Sequence, residues 1–192
     1  MNLQHVLRLG ARRIEQELRE AFYLGTGIDA TKPLMIRAVP TERCNYKCLS
    51  CDCWRSNRFP TEMSLEQWQQ ALAGLKRFLG RFAIQFSGGE PFVYKPFVAL
   101  VEWCAEHGID WGVISNGSAF SQGTVERIVA ARPTNVSVSV DGATSAVHDL
   151  SRGIDGSLRH VRAASLCCAP SVTAAGRTSQ FASRPPCIGS TF

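Results

Sequence analysis

The sequence predicts an α/β fold of about four parallel β/α units behind an N-terminal helix, on three observations. Short apolar runs alternate with helical stripes between residues 34 and 161. Each run leads into a turn or a polar cluster: a cysteine-rich loop, Gly88-Gly89-Glu90, Ser115-Asn116-Gly117 and Asp141-Gly142. Strands alternating with helices pair in parallel through right-handed crossovers. Ligands of such folds collect at the carboxyl ends of the strands, and every candidate motif here falls on such an end.

The elements follow in chain order. Leu3, Leu7, Ile14, Leu18 and Phe22 recur at helical steps with Arg12, Arg13, Glu17 and Glu20 between them, and Gly25 can stop that helix. Both charge signs on its polar face favour packing on protein over lying on a membrane. Residues 34–39 (Leu-Met-Ile-Arg-Ala-Val) read as the first strand. Ser64-Leu-Glu-Gln67 is a capping box, followed by Trp68, Leu72, Leu75 and Leu79 on one face and Gly80 as a stop. Residues 83–86 form the second strand. Phe97, Val101 and Cys104 mark the next helix, ended by Gly108, and residues 111–114 form the third strand. Val125, Ile128 and Val129 make a helical face before Pro133, residues 136–140 the fourth strand, and a fourth helix is expected to begin at Gly156. Three regions result: an amphipathic helical extension over 1–30, the core over 31–165, and a tail over 166–192. The tail is rich in Ser, Thr, Ala, Pro and Gly without strand or helix periodicity, and is expected to be disordered or frameshifted.

Composition narrows the function. A chain of 192 residues, 45% hydrophobic, supports one domain with a real core. The net charge of +5 is mild, and no arginine run interleaved with aromatics points to nucleic acid. No stretch approaches the roughly 18 apolar residues of a membrane span. Eight cysteines could mean a disulfide framework, but the N-terminus lacks the apolar segment of a signal peptide. A reducing cytoplasm with metal-bound thiols is the expected setting.

Cys44, Cys48 and Cys51 lie in the spacing C-x3-C-x2-C directly after the first strand. Thiolates so close can converge on one metal centre, and three without a fourth partner suit an iron–sulfur cluster with one iron open. Two other readings stand beside it. Cys53 could complete a four-thiolate zinc site, although no second C-x-x-C pair lies near a strand. Cys48-Leu-Ser-Cys51 could be a thioredoxin-like redox pair, although no helix follows it directly. Cys104 lies on an apolar helical face and reads as core; Cys167, Cys168 and Cys187 lie in the anomalous tail.

Together, the cysteine motif and Gly88-Gly89-Glu90-Pro91 resemble the radical S-adenosylmethionine (radical SAM) enzymes over about residues 33–162. The branch closest in general pattern contains molybdenum-cofactor, peptide-maturation and heme-related enzymes. The resemblance implies a partial (β/α)6 TIM-like barrel. Cys44, Cys48 and Cys51 would hold a [4Fe–4S] cluster that cleaves S-adenosyl-L-methionine reductively to a 5′-deoxyadenosyl radical. It further implies an electron donor such as flavodoxin or ferredoxin, and a small-molecule or peptide substrate. Gly88, Gly89 and Glu90 would meet the methionine amino group, with glycine backbone approaching the ligand and Glu90 adding a carboxylate or fixing the turn. Asn116 and Ser139, favoured over Ser115 and Asp141, would contact ribose or carboxylate, though Asn-Gly and Asp-Gly also suit plain turns. Arg152 could pair with a carboxylate of the cofactor or cap its loop, and His148 reads as structural. Ser50 departs from the pattern, because many members carry an aromatic there that packs near the adenine. Only four of six expected β/α units can be placed, so a barrel ending after the fourth unit is expected. A catalytically inactive cluster-binding fragment and a structural zinc-binding module are the alternatives to an enzyme.

Overall fold

The computed structural model describes residues 3–55 and 61–163. Its contacts divide into two units, Met1–Leu34 and Met35–Phe192. The expected tail over 166–192 lies outside the described residues.

The first unit is helix α1, Leu3–Thr26. Its polar face carries the i,i+4 ion pairs Arg13–Glu17 and Arg19–Glu15, each worth a few tenths of a kcal/mol at such exposure. The helix runs past the expected stop at Gly25. The residue that leaves helical geometry is Gly27, at φ +74°, and its N–H donates to the Tyr23 carbonyl at 2.8 Å. A helix needs a left-handed residue to end this way.

The second unit is a four-stranded sheet: β1 Met35–Ala38, β2 Ala83–Phe86, β3 Asp110–Ser115 and β4 Asn135–Val138. The strands lie in the order β1-β2-β3-β4, all parallel. Crossovers run through α2 Leu65–Leu79, α3 Phe97–Glu106 and α4 Gln122–Ala130. β2 matches its expected span. β3 exceeds its expected span by a residue at each end, because residues 110–113 ladder to β2 and residues 112–115 to β4. β4 starts one residue early and ends two early.

Burial explains the stacking. β2 and β3 contribute Ile84, Phe86, Trp111 and Val113 to the core, and α3 contributes Phe97, Leu100, Val101 and Cys104. Phe86 and Phe92 each meet the Phe97 ring edge-on, with centroids 5.4 and 4.9 Å apart. The Trp111 Nε1–H is spent on the Ala131 carbonyl at 2.8 Å, so its one polar atom is satisfied inside the core. The capping box forms as expected: Ser64 Oγ accepts from the Gln67 N–H and Gln67 Oε1 from the Ser64 N–H.

Where a loop was expected after β4, the chain forms α5, Ser145–Arg152. Its buried residue is His148, while Val147 and Leu150 are exposed, so apolar periodicity could not reveal it. Residues 157–163 are also helical, beginning where the fourth helix was expected. The Asp149 carboxylate gathers the Gly156 and Leu158 N–H groups and the Ser157 hydroxyl at that start, each at 2.8 Å.

Candidate functional site

The site begins where β1 ends. The segment after it runs beside the end of β2: the Ser87, Gly89 and Glu90 N–H groups donate to the carbonyls of Ala38, Thr41 and Arg43 at 2.9, 3.0 and 2.9 Å. This contact is why both glycines are there. Gly88 sits at φ +117°, and a Cβ on it would collide with Val39. A Cβ on Gly89 would run into the carbonyl oxygens of Arg43 and Glu42. The pair admits, first of all, the backbone that carries Cys44.

Glu90 is 1% exposed and its carboxylate is fully engaged. One oxygen accepts from the Ser115 hydroxyl at 2.8 Å and the Phe92 N–H at 3.3 Å; the other accepts from the Asn116 N–H at 2.7 Å. Burial pushes this carboxyl above its ordinary range, and the donors from Asn116, Ser115 and Phe92 pull partly against that. Of the two roles the sequence offered it, the hydrogen bonds describe the turn-fixing one: Glu90 ties the end of β2 to the end of β3. Ser139 continues the row, its N–H donating to the Ser115 carbonyl at 3.0 Å.

The cysteine loop is held from three sides. Asn116 Nδ2 donates to Asn45 Oδ1 at 2.8 Å, and Asn45 Nδ2 donates to Ser118 Oγ at 2.8 Å, joining the loop to the end of β3. From α5, the Ser151 carbonyl takes the Leu49 N–H at 2.9 Å. Gly153 there, at φ +64°, packs so closely on Lys47 that a Cβ would strike its carbonyl oxygen. From the helix over 157–163, His160 Nδ1 pairs with the Tyr46 hydroxyl at 2.8 Å. Burial drives the Tyr46 phenol up to about 12, so it stays protonated.

These ends enclose a cavity of about 140 Å³ lined by Cys44, Cys48, Cys51, Cys53, Gly88, Gly89, Glu90, Asn116, Ser139 and Arg152, among others. All eight residues expected from the sequence at a cofactor or metal therefore meet in one place. Among the described residues, no three His, Cys, Asp or Glu side chains are gathered as around a single ion. A multi-iron cluster asks for a looser set, because each thiolate takes a different iron. Burial pushes the Cys44 thiol up, against a hydrogen bond from the Tyr46 N–H, and nearby Glu90 adds to the rise. Cys53 is pushed up by burial and by its contact with Cys51. Binding a cation there would take up thiolate charge that burial otherwise disfavours at Cys44 and Cys53. The donor set thus fits a cluster.

Three features escaped the sequence. Trp54 lines the cavity and donates Nε1–H to the Cys48 carbonyl at 3.2 Å, while Ser50 stands exposed. Asn45 and the Tyr46–His160 pair fasten the loop through partners 71 and 114 residues away, a pairing with no local signal. His148 is fully buried, as a structural residue should be, with Nδ1 accepting the Asp141 N–H at 3.2 Å. Burial and the charge of Arg152 push its imidazole down.

The profile of the radical SAM superfamily matches residues 38–168. This chain belongs to that superfamily. It is 32% identical over 137 residues to the mycofactocin maturase MftC of Mycobacterium ulcerans, covering 71% of this chain and 36% of that one. It is 29% identical over 125 residues to the PqqA peptide cyclase of Rhodopseudomonas palustris, covering 65% and 33%. The fold is that of SuiB from Streptococcus suis bound to S-adenosylmethionine: TM-score 0.63, 21% identity, 79% of this chain and 35% of that one. It is shared as well with anSMEcpe bound to AdoMet and the Cp18Cys peptide, at TM-score 0.61 and 23% identity over 73% and 41%. The parallel sheet is therefore part of a radical SAM TIM-like barrel, and the chain spans about a third of the length of these curated relatives. Among the described residues, no helix is long and apolar enough to cross a membrane.

Proposed function

We propose that Cys44, Cys48 and Cys51 hold a [4Fe–4S] cluster, that Gly88, Gly89, Asn116 and Ser139 receive S-adenosyl-L-methionine beside it, and that the chain is the cofactor-handling part of a radical SAM enzyme acting on a peptide. The observation that carries this reading is the single cavity lined by three closely spaced thiols and the ends of β2, β3 and β4. When bound, the cluster supplies an electron that cleaves the sulfonium to a 5′-deoxyadenosyl radical.

The chain's own residues do the holding. Gly88 and Gly89 present backbone to the ligand's amino group. Glu90 keeps that turn in register with Asn116 through its bond to the Asn116 N–H. Asn116 and Ser139 offer side chains to ribose and carboxylate, and the Arg152 Nε, buried without an acceptor, is a further donor for a carboxylate. Trp54, with the Arg55 guanidinium 4.5 Å over its ring, is the aromatic wall of the cavity and would meet a purine in place of the side chain that Ser50 lacks. The peptide class follows the relatives named as a maturase and a peptide cyclase; a flavodoxin or ferredoxin in the cytoplasm would deliver the electron.

Anaerobic cluster reconstitution followed by electron paramagnetic resonance (EPR) of the reduced protein tests the reading. A [4Fe–4S] signal that changes on adding S-adenosylmethionine, with release of 5′-deoxyadenosine, is expected. A cluster indifferent to the cofactor would leave a cluster-binding fragment only. Iron-free protein carrying stoichiometric zinc would overturn the proposal.

A further inference from the structure

We infer that Arg152 is a positioning residue that sets the reduction potential of the cluster through the sulfur of Cys48; this rests on the cluster reading above.

Arg152 occupies the last turn of α5, with its side chain only 14% exposed. One terminal nitrogen of its guanidinium lies 2.8 Å from Asp141 Oδ1, and the other donates to Cys48 Sγ at 3.7 Å. Asp141 is itself fixed. Its second oxygen accepts from the Ser151 hydroxyl at 2.9 Å, and its N–H is held by His148. The end of α5 is locked to the loop on both sides of Cys48: at Leu49 by the Ser151 carbonyl, and at Lys47 by the close approach of Gly153. The ion pair to Asp141 therefore holds the guanidinium beside the sulfur, on a helix end that is itself tied to the loop.

The chemistry of this contact differs from that at the neighbouring thiol. Cys44 Sγ receives a neutral backbone N–H, from Tyr46 at 3.4 Å. Cys48 Sγ receives an N–H from a cationic guanidinium. Arginine's planar fork grips a carboxylate and a sulfur at once, whereas a lysine ammonium on a flexible stem would settle on the carboxylate. Reducing a cluster adds negative charge, and part of it falls on the ligating sulfurs. A cation and an N–H donor at one of them stabilise the reduced state more than the oxidised one, and so raise the potential. Asp141 offsets part of that charge.

The test is an EPR-monitored redox titration of the reconstituted chain without S-adenosylmethionine, comparing wild type with Arg152→Met, Arg152→Lys and Asp141→Asn at equal cluster content. Arg152→Met should shift the midpoint to more negative values, Arg152→Lys should shift it less, and Asp141→Asn should move it the other way. Proton electron-nuclear double resonance gives a second readout: wild-type protein should show a coupled exchangeable proton, lost in D2O, that is absent from Arg152→Lys while the proton from the Tyr46 N–H at Cys44 remains. Midpoints unchanged in Arg152→Met and Arg152→Lys overturn the inference while leaving the cluster in place. If Arg152→Met takes up no cluster, Arg152→Lys and the exchange experiment decide. Wild-type protein that takes up no cluster overturns this inference and the proposed function together.

Discussion

Gly89 shows how little freedom single positions have around this site. Any side chain there meets the carbonyls of Arg43 and Glu42, and those are backbone atoms that cannot rotate away. Gly89→Ala is expected to cost about 1–3 kcal/mol as an overpacking change, read as a lower denaturant midpoint of the metal-free chain; an unchanged midpoint would show that the turn can open. Glu90 makes a prediction in pH. Its folded-state carboxyl titrates above the ordinary value of 4.5, so the folded chain keeps a proton that the unfolded chain has already released. The stability this gives is present below 4.5 and fades as pH rises through the raised value. The advantage of wild type over Glu90→Gln should therefore shrink as pH climbs above 4.5 in a series of urea melts. A constant or growing advantage would mean that the donors from Asn116, Ser115 and Phe92 outweigh burial.

At the scale of elements, α2 and α5 were unequally visible, for a physical reason. α2 announces itself by a capping box and one apolar stripe, and both are local in sequence. Removing the cap oxygen with Ser64→Ala should cost about 1 kcal/mol, again measured by denaturant unfolding. α5 buries a histidine and leaves Val147 and Leu150 in solvent, so its pattern points the wrong way; what identifies it is the left-handed Gly153 at its end. The fastening of the cysteine loop was hidden for another reason. Tyr46 and His160 are ordinary residues until the fold brings them together, and no spacing rule links them. Tyr46→Phe should cost about 0.5–1.5 kcal/mol for the lost hydrogen bond and leave the thiols more open to a maleimide reagent in the metal-free protein. Thiol labelling as slow as wild type would show that α5 and the Asn45 bonds to the end of β3 suffice to hold the loop.

For the whole molecule, the parallel order and the gathering of the site at strand ends were legible because both follow from β/α alternation alone. The backbone bonds that tie Gly89 and Glu90 to Thr41 and Arg43 were not, because they join segments more than 40 residues apart with no local signal. A cluster that binds the folded chain and not the unfolded one must stabilise it by mass action. Reconstitution should accordingly raise the thermal midpoint of the wild-type chain but not of Cys48→Ala, as followed by circular dichroism; equal rises in both would point to iron bound elsewhere. The fastening of the loop from α5 and His160 carries one more consequence, for the order of events during synthesis. The thiols leave the ribosome more than 90 residues ahead of Ser151, Gly153 and His160, the residues that hold their loop in shape. A nascent chain therefore displays its cysteines long before it can arrange them, and under the proposed cluster reading iron delivery would belong after translation has passed His160.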